Sequence, residues 1–134
     1  MSTLKVNKVQ HNTSGFSNVV QFTDGAGTEN GTLCRAWVNF NGQGTIAIRD
    51  SFNVNSLTDV GTGLHKVNFA NAMPDVNYAT VLANQGVDSS DNSLEVTVLS
   101  YNNPPTASNF TISTAYPNNS TFYDCAIHTA AVFR

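Results

Sequence analysis

From Cys34 onward, apolar and polar residues alternate with a period of two, which is the spacing of a strand with one buried face. The clearest case is the segment Ala36-Trp37-Val38-Asn39-Phe40-Asn41. Its inward side chains are expected to be Ala36, Val38 and Phe40, and Trp37 is expected to point outward. No long window places apolar residues at three-to-four spacing behind a capping residue, so little helix is expected.

A hairpin is predicted around the turn sequence Asn41-Gly42-Gln43-Gly44. The alternation resumes after this turn over residues 45–52. Ile46, Ile48 and Phe52 are expected to face inward in this second strand.

Further strands are predicted in the rest of the chain, each bounded by Gly, Pro, Asn, Asp or Ser. They span residues 56–59, 63–69, 78–84, 94–101, 109–114 and 124–133. The total is about eight strands joined by short loops, which favours antiparallel pairing. The sequence therefore predicts an all-β fold for residues 33–134, a jelly-roll-like antiparallel β-sandwich.

Residues 1–32 have a different composition and predict an extended N-terminal arm. Two short β-like pieces, Leu4–Val9 and Val19–Phe22, bury too little apolar area to offset the entropy of ordering. We interpret the arm as an attachment or oligomerisation segment, with a merely loose terminus as the alternative. Its contact residues are expected to be Leu4, Val6, Val9, Phe16, Val19 and Phe22.

The low fraction of charged residues argues against some classes of binding partner. Only 11% of the 134 residues are charged, the net charge is −3, and 18 Asn, 15 Thr and 12 Ser fill a third of the chain. Six scattered basic residues cannot neutralise a run of phosphates or hold an anionic lipid surface, so neither nucleic acid nor membrane insertion is expected. The opening Met1–Lys5 lacks the apolar core of a secretory signal, so synthesis in a cytoplasm is expected.

Candidate catalytic side chains are sparse and form no recognised motif. His65 and His128 fall in predicted strands and are interpreted as strand-face or interface residues. Cys125 and His128 are three positions apart, so a strand would place them on opposite faces, which argues against a thiolate site. Cys34 and Cys125 are expected to be reduced, packed thiols. No enzyme activity, metal or cofactor is predicted.

The polar loops predict a recognition surface for sugars. Amide and hydroxyl groups match sugar hydroxyls, and aromatic rings can stack on the apolar faces of sugar rings. A neutral coat with no ligand is the alternative. The candidate receptor-binding residues are Tyr101, Asn102, Asn103, Tyr116, Asn118, Asn119 and Tyr123.

Two stretches resemble short tail-fibre and structural proteins of tailed bacteriophages, of the kind found in phages of cyanobacteria and marine bacteria. The first is the opening Met1-Ser2-Thr3-Leu4-Lys5-Val6-Asn7-Lys8-Val9-Gln10. The second begins Cys34-Arg35-Ala36-Trp37-Val38-Asn39-Phe40-Asn41-Gly42 and continues through Thr45–Val54 to Val67-Asn68-Phe69, Ala72-Met73-Pro74-Asp75 and Tyr78. Together they cover about the first 80 residues.

The resemblance implies a virion protein assembled in the host cytoplasm, a homotrimeric fibre or fibre tip without catalytic activity. It implies that the arm docks on baseplate or tail proteins and that the β domain meets the host surface. The chain lacks a long repetitive shaft, so a baseplate component or a capsid decoration protein without receptor binding is the alternative. A glycan-trimming enzyme is a third possibility, and it would need two carboxylates in one groove.

Overall fold

The computed structural model describes residues 19–24, 27–85, 95–117 and 120–134, and all of its regular elements in these ranges are strands. No helix there is long and apolar enough to cross a membrane. The strands are β1 Val19–Asp24, β2 Gly27–Thr32, β3 Cys34–Asn41, β4 Ala47–Phe52, β5 Val54–Gly61, β6 Leu64–Phe69, β7 Ala79–Asn84, β8 Val96–Leu99, β9 Asn109–Tyr116, β10 Thr121–Phe122 and β11 His128–Phe133.

The chain divides into two compact units, Met1–Leu33 and Cys34–Arg134. In the first unit, β1 and β2 form an antiparallel hairpin in which Val19 pairs with Thr32 and Asp24 with Gly27. The predicted strand at 19–22 is confirmed, whereas β2 was not among the predicted strands. β2 is poor in β-forming residues, and it is a strand because its backbone pairs with β1. Leu4, Val6, Val9 and Phe16 of the predicted arm lie outside the described residues.

The second unit is an antiparallel β-sandwich, which confirms the predicted fold class. One sheet has the strand order β4-β3-β11-β7. The other has the order β5-β6-β9, with β8 and β10 also paired to β9. The two sheets pack face to face around one apolar core whose buried members are Ala36, Val38, Phe40, Val67, Phe69, Met73, Phe110, Ile112, Ala130 and Val132.

Strand β3 follows the predicted alternation. Ala36, Val38 and Phe40 are buried in the core, and Trp37 lies on the outer face with 37% of its surface exposed. The three inward residues face Val132, Ala130 and His128 of β11 in register.

Phe52 is a correction to the sequence prediction, because it points outward and is 55% exposed. The cause is a β-bulge at Arg49. Phe40 pairs with Ile48, whereas the preceding residue Asn39 pairs with Asp50, so the strand register skips Arg49 and the alternation of β4 shifts by one residue. Ile48 therefore packs against the core as predicted, and Phe52 pairs with Trp37 on the outer face.

One end of the interior holds an aromatic cluster formed by Phe69, Tyr78 and Phe110. The ring centroids are 5.6 Å apart for Phe69 and Phe110, and 5.7 Å apart for Phe69 and Tyr78. Met73 is buried at the same end of the fold, where its N–H donates to the carbonyl of Ala107 over 2.8 Å. The cluster fastens the connection between β6 and β7 to the sandwich.

Candidate functional site

A groove of about 310 Å³ lies on the outer face of the sheet that contains β6, β8 and β9. Its floor is a row of side chains that strand pairing places side by side, because Ser113 of β9 pairs with Leu64 on one edge and Val98 on the other. The lining residues are Leu64, Val98, Leu99, Ser100, Tyr101, Asn102, Asn103, Ser113 and Phe122.

The loop after β8 forms one wall of this groove. Its start is fixed by a 2.8 Å hydrogen bond from Ser100 N–H to the carbonyl of Thr111, and Asn103 Nδ2 reaches the Ser100 hydroxyl at 3.5 Å. Its far end is fixed by a 2.8 Å bond from Thr106 N–H to the carbonyl of Asn109. Tyr101, the second residue after β8, is 96% exposed. The loop therefore holds the Tyr101 ring and the Asn102 and Asn103 amides on a backbone that is hydrogen-bonded at both ends.

The structure brings together three of the seven predicted receptor-binding residues. Tyr101, Asn102 and Asn103 line the groove side by side. Tyr116 and Tyr123 are described but are not among the lining residues; both are partly buried, and the N–H of Tyr123 donates to the carbonyl of Thr114. Asn118 and Asn119 lie outside the described residues. Whether any of the seven binds a receptor stays a prediction.

Sequence reasoning missed the apolar part of the groove. Phe122 belongs to the two-residue strand β10, and its surroundings read as loop. Leu64 and Val98 are outward-facing residues of β6 and β8, and the period-two pattern could have identified them as such. The groove therefore combines apolar floor residues with amide and hydroxyl groups at the rim, which is the usual composition of a small-ligand site.

A second surface lies on the outer face of the sheet β4-β3-β11-β7. Pairing aligns one residue from each strand in an apolar row: Phe52 with Trp37, Trp37 with Ala131, and Ala131 with Val81. Val81 is 61% exposed, and Trp37, Val81 and Ala131 line a shallow groove of about 320 Å³. This apolar row crosses all four strands of the sheet.

Two buried histidines pack at the end of the interior opposite the aromatic cluster. His65 of β6 and His128 of β11 are both fully buried, with ring centroids 5.2 Å apart. Phe40 stacks on His128 at 4.9 Å and meets His65 edge-on at 5.6 Å. Phe40, His65 and His128 form what we call the histidine cluster. The sequence placed both histidines in strands but did not indicate that they face each other.

The histidine cluster has few hydrogen-bond partners. His65 Nε2 lies 3.3 Å from the carbonyl oxygen of Gly42 and 3.6 Å from Asp124 Oδ1. His65 Nδ1 and both ring nitrogens of His128 are buried and have no hydrogen-bond partner among the described residues. Burial lowers the pKa of His128 from 6.5 to about 4, with a further contribution from His65. His128 is therefore neutral at pH 7.

The predicted geometry of Cys125 and His128 needs correction. β11 begins at His128, not at Asp124, so the period-two rule does not apply between the two residues. Both side chains are fully buried, and Asn84 Nδ2, from the residue paired with His128, approaches Cys125 Sγ at 3.6 Å. Burial raises the pKa of the Cys125 thiol, which favours its protonated form.

Polar side chains bridge the two sheets beside the histidine cluster. Thr97 of β8 donates to Asn84 Oδ1 of β7 over 3.1 Å, and its hydroxyl lies 2.8 Å from that of Thr114. Glu95 Oε2 is buried and has no hydrogen-bond partner in the part of the chain that the structure describes. In the described part of the chain, no group of three His, Cys, Asp or Glu side chains is placed to hold a metal ion.

Comparison of the chain with protein families, with curated proteins and with solved structures finds no match.

Proposed function

We propose that this chain is a structural protein of a phage virion, a tail fibre whose β-sandwich attaches to glycan on the host surface. The observation that carries the proposal is the groove beside Tyr101. An almost fully exposed ring, two neighbouring amides and the Phe122 ring surround an apolar floor. This set can stack on a sugar ring and hydrogen-bond its hydroxyls at the same time.

The virion assignment is supported by the resemblance of the opening ten residues and of the block from Cys34 to Tyr78 to phage fibre proteins. In this proposal, residues 1–32 dock on baseplate or tail proteins. No catalytic step is part of it.

We propose further that the working form is a homotrimer. The apolar row of Phe52, Trp37, Ala131 and Val81 supports this, since exposed apolar side chains contiguous across a whole sheet are typical of a surface covered by a partner. Light scattering of the purified full chain tests the assembly. A mass of three chains is expected, and a monomer would contradict this part of the proposal.

Attachment is tested with fluorescently labelled full chain on whole cells of a panel of cyanobacteria and marine bacteria. We expect binding to a subset of strains, and Tyr101→Ala should weaken it about tenfold, which corresponds to roughly 1.4 kcal/mol for a lost aromatic contact. Val76→Ala is the control because Val76 is an exposed apolar residue outside the groove lining and outside the predicted receptor-binding residues, and it should bind like the wild type. Equal loss in both variants would remove the groove from the site.

The same material separates the alternatives. A chain that binds no cell but co-purifies with capsids or baseplates is a decoration or baseplate protein. A chain that shortens purified surface polysaccharide is an enzyme. Each of these results would overturn the fibre proposal.

A further inference from the structure

The groups around the two buried histidines decide how an extra proton would be accommodated there. The pair lies between the two sheets, and its uncharged neighbours are Phe40 of β3, Asn84 of β7 and Ile112 of β9. The titratable groups facing it are Asp124 and Cys125 in the segment before β11. Glu95, before β8, acts on Cys125. Among the described residues, only Asp124 offers a carboxylate within 4 Å of either ring.

Charging His128 is unfavourable. A proton on His128 would place a cation where neither ring nitrogen has an acceptor. His65 Nε2 lies 3.3 Å from the Gly42 carbonyl oxygen and 3.6 Å from Asp124 Oδ1, so these contacts hold the His65 ring beside His128. His128 therefore favours its neutral state, in which the imidazole packs against Phe40 as an aromatic ring.

Residues next to the pair form part of the groove. His65 directly follows Leu64, and Asp124 follows Phe122 by two residues. Asp124 Oδ1 also accepts the N–H of Gly63 at 2.6 Å, so this carboxylate ties the turn before β6 to the segment after β10. Movement around the pair would be transmitted to Leu64 and Phe122.

We propose that buried His128, packed against His65, is an acid-sensitive device: proton uptake by His128 in mildly acidic solution loosens this end of the sandwich and displaces the groove residues Leu64 and Phe122. The functional consequence, weaker ligand binding in acid, rests on the proposed function. The acid sensitivity does not, because it is a property of the fold alone.

The direction and size of the change in stability with pH follow from the difference between the pKa of His128 in the folded and in the unfolded chain. The pKa of His128 is about 4 in the folded chain and about 6.5 when unfolded. Between these values the unfolded chain binds the extra proton, so stability is complete above about pH 6.5 and falls as the pH drops towards 4. The unfolding constant should be about thirtyfold larger at pH 5 than at pH 7.5, since each pH unit in the window corresponds to about tenfold.

The first test is denaturant unfolding of the full chain at pH 7.5 and pH 5. His128→Leu, close in volume and without an ionisable group, should lose most of the thirtyfold change. Phe69→Leu, in the aromatic cluster, should lower stability equally at both pH values and keep the change. A wild type with the same unfolding constant at both pH values overturns the proposal, as does a His128→Leu variant that retains the full change.

The second test needs no variant and locates the loosening. Hydrogen exchange is measured as amide protection corrected for the intrinsic effect of pH. Protection of the Gly63 and Tyr123 amides, beside the pair, should fall at pH 5 relative to that of Phe69 and Met73, whose amides bond to Ser108 and Ala107. An equal fall at both ends would overturn the local loosening. No glycan is present, so this result is independent of cell binding.

Discussion

The two ends of the sandwich interior solve the same packing problem with different side chains. Along β6, His65, Val67 and Phe69 all face inward, so the histidine and aromatic clusters lie roughly 13 Å apart on one strand. Each cluster contains three rings at stacking or edge contact. Geometrically they are alike; chemically they differ in how many polar atoms they bury.

At the aromatic end, the one polar group of the cluster is satisfied. The Tyr78 hydroxyl lies 3.0 Å from the carbonyl oxygens of both Thr106 and Asn109, and it can donate to either. At the histidine end, three of the four ring nitrogens have no hydrogen-bond partner within the described ranges. An aromatic-sized side chain can therefore fill the core with its polar atom hydrogen-bonded, as Tyr78 does, or with polar atoms left unpaired, as His128 does. Unpaired polar atoms lower the stability of the fold.

Phe110→Ala should break the aromatic end. Phe110 is 1% exposed and touches both Phe69 and Tyr78, so the variant is expected to lower the free energy of unfolding by about 3–5 kcal/mol. The loss should be the same at pH 7.5 and pH 5 because the removed ring does not titrate. Urea unfolding at the two pH values checks this, and a loss that changes with pH would mean that the two ends are coupled.

Gly42→Ala should disturb the histidine end. A Cβ at this position would lie 2.8 Å from Cδ2 of His128 and 2.9 Å from the backbone oxygen of Cys125. Such overpacking is expected to cost about 1–3 kcal/mol. Gln43→Ala, at the exposed neighbouring position, is the control and should change stability by less than about 0.5 kcal/mol. Thermal unfolding of both variants is the measurement, and equal stability would show that this end has room to relax.

Tyr78→Phe should lower the stability of the aromatic end by less than Phe110→Ala does. It removes one hydroxyl hydrogen bond from the aromatic end, and about 1 kcal/mol of stability should be lost. Burial raises the pKa of Tyr78 to about 12, so the loss should be constant from pH 7 to pH 9. Denaturant unfolding across this range is the check; a loss that disappears at pH 9 would contradict the buried, protonated phenol.

Asp75→Asn should have the smallest effect and should separate two acid transitions. Arg134 holds Asp75 through two hydrogen bonds of 2.9 and 2.6 Å, and these, with the Asn77 N–H, lower the pKa of Asp75 from 3.8 to about 2. The stability from this pair is therefore complete above about pH 4 and is lost as the pH falls towards 2. The variant should be slightly less stable than the wild type by the same amount at pH 7 and pH 5, in acid-denaturation curves. A difference that disappears already at pH 5 would mean that this pair, not the histidines, titrates there.

Much of the fold was predictable because period-two alternation reports directly on which face of a strand is buried. β3 is the clearest success, with Ala36, Val38 and Phe40 inward and Trp37 outward. Phe52 shows where the rule fails, since a bulge at Arg49 shifts the alternation and no residue type announces it. β2 shows a second failure, because strand pairing overrode a composition typical of coil.

Only part of the candidate groove could be predicted from the sequence. Tyr101, Asn102 and Asn103 are neighbours in the chain, so one loop indicated all three. Leu64, Ser113 and Phe122 come from three other strands, and only sheet order brings them to that loop. The apolar row around Trp37 likewise depends on strand order. The outward direction of Trp37 itself was predicted from the alternation of apolar and polar residues.

The sequence by itself determined a low-charge β protein with a distinct N-terminal segment, because composition and period-two spacing act locally along the chain. Only the tertiary structure decided that two histidines 63 positions apart meet in the core and that, among the described residues, three of their four ring nitrogens have no hydrogen-bond partner. Burial and pKa depend on what the other sheet places opposite a side chain, and residue spacing along one strand carries no record of that.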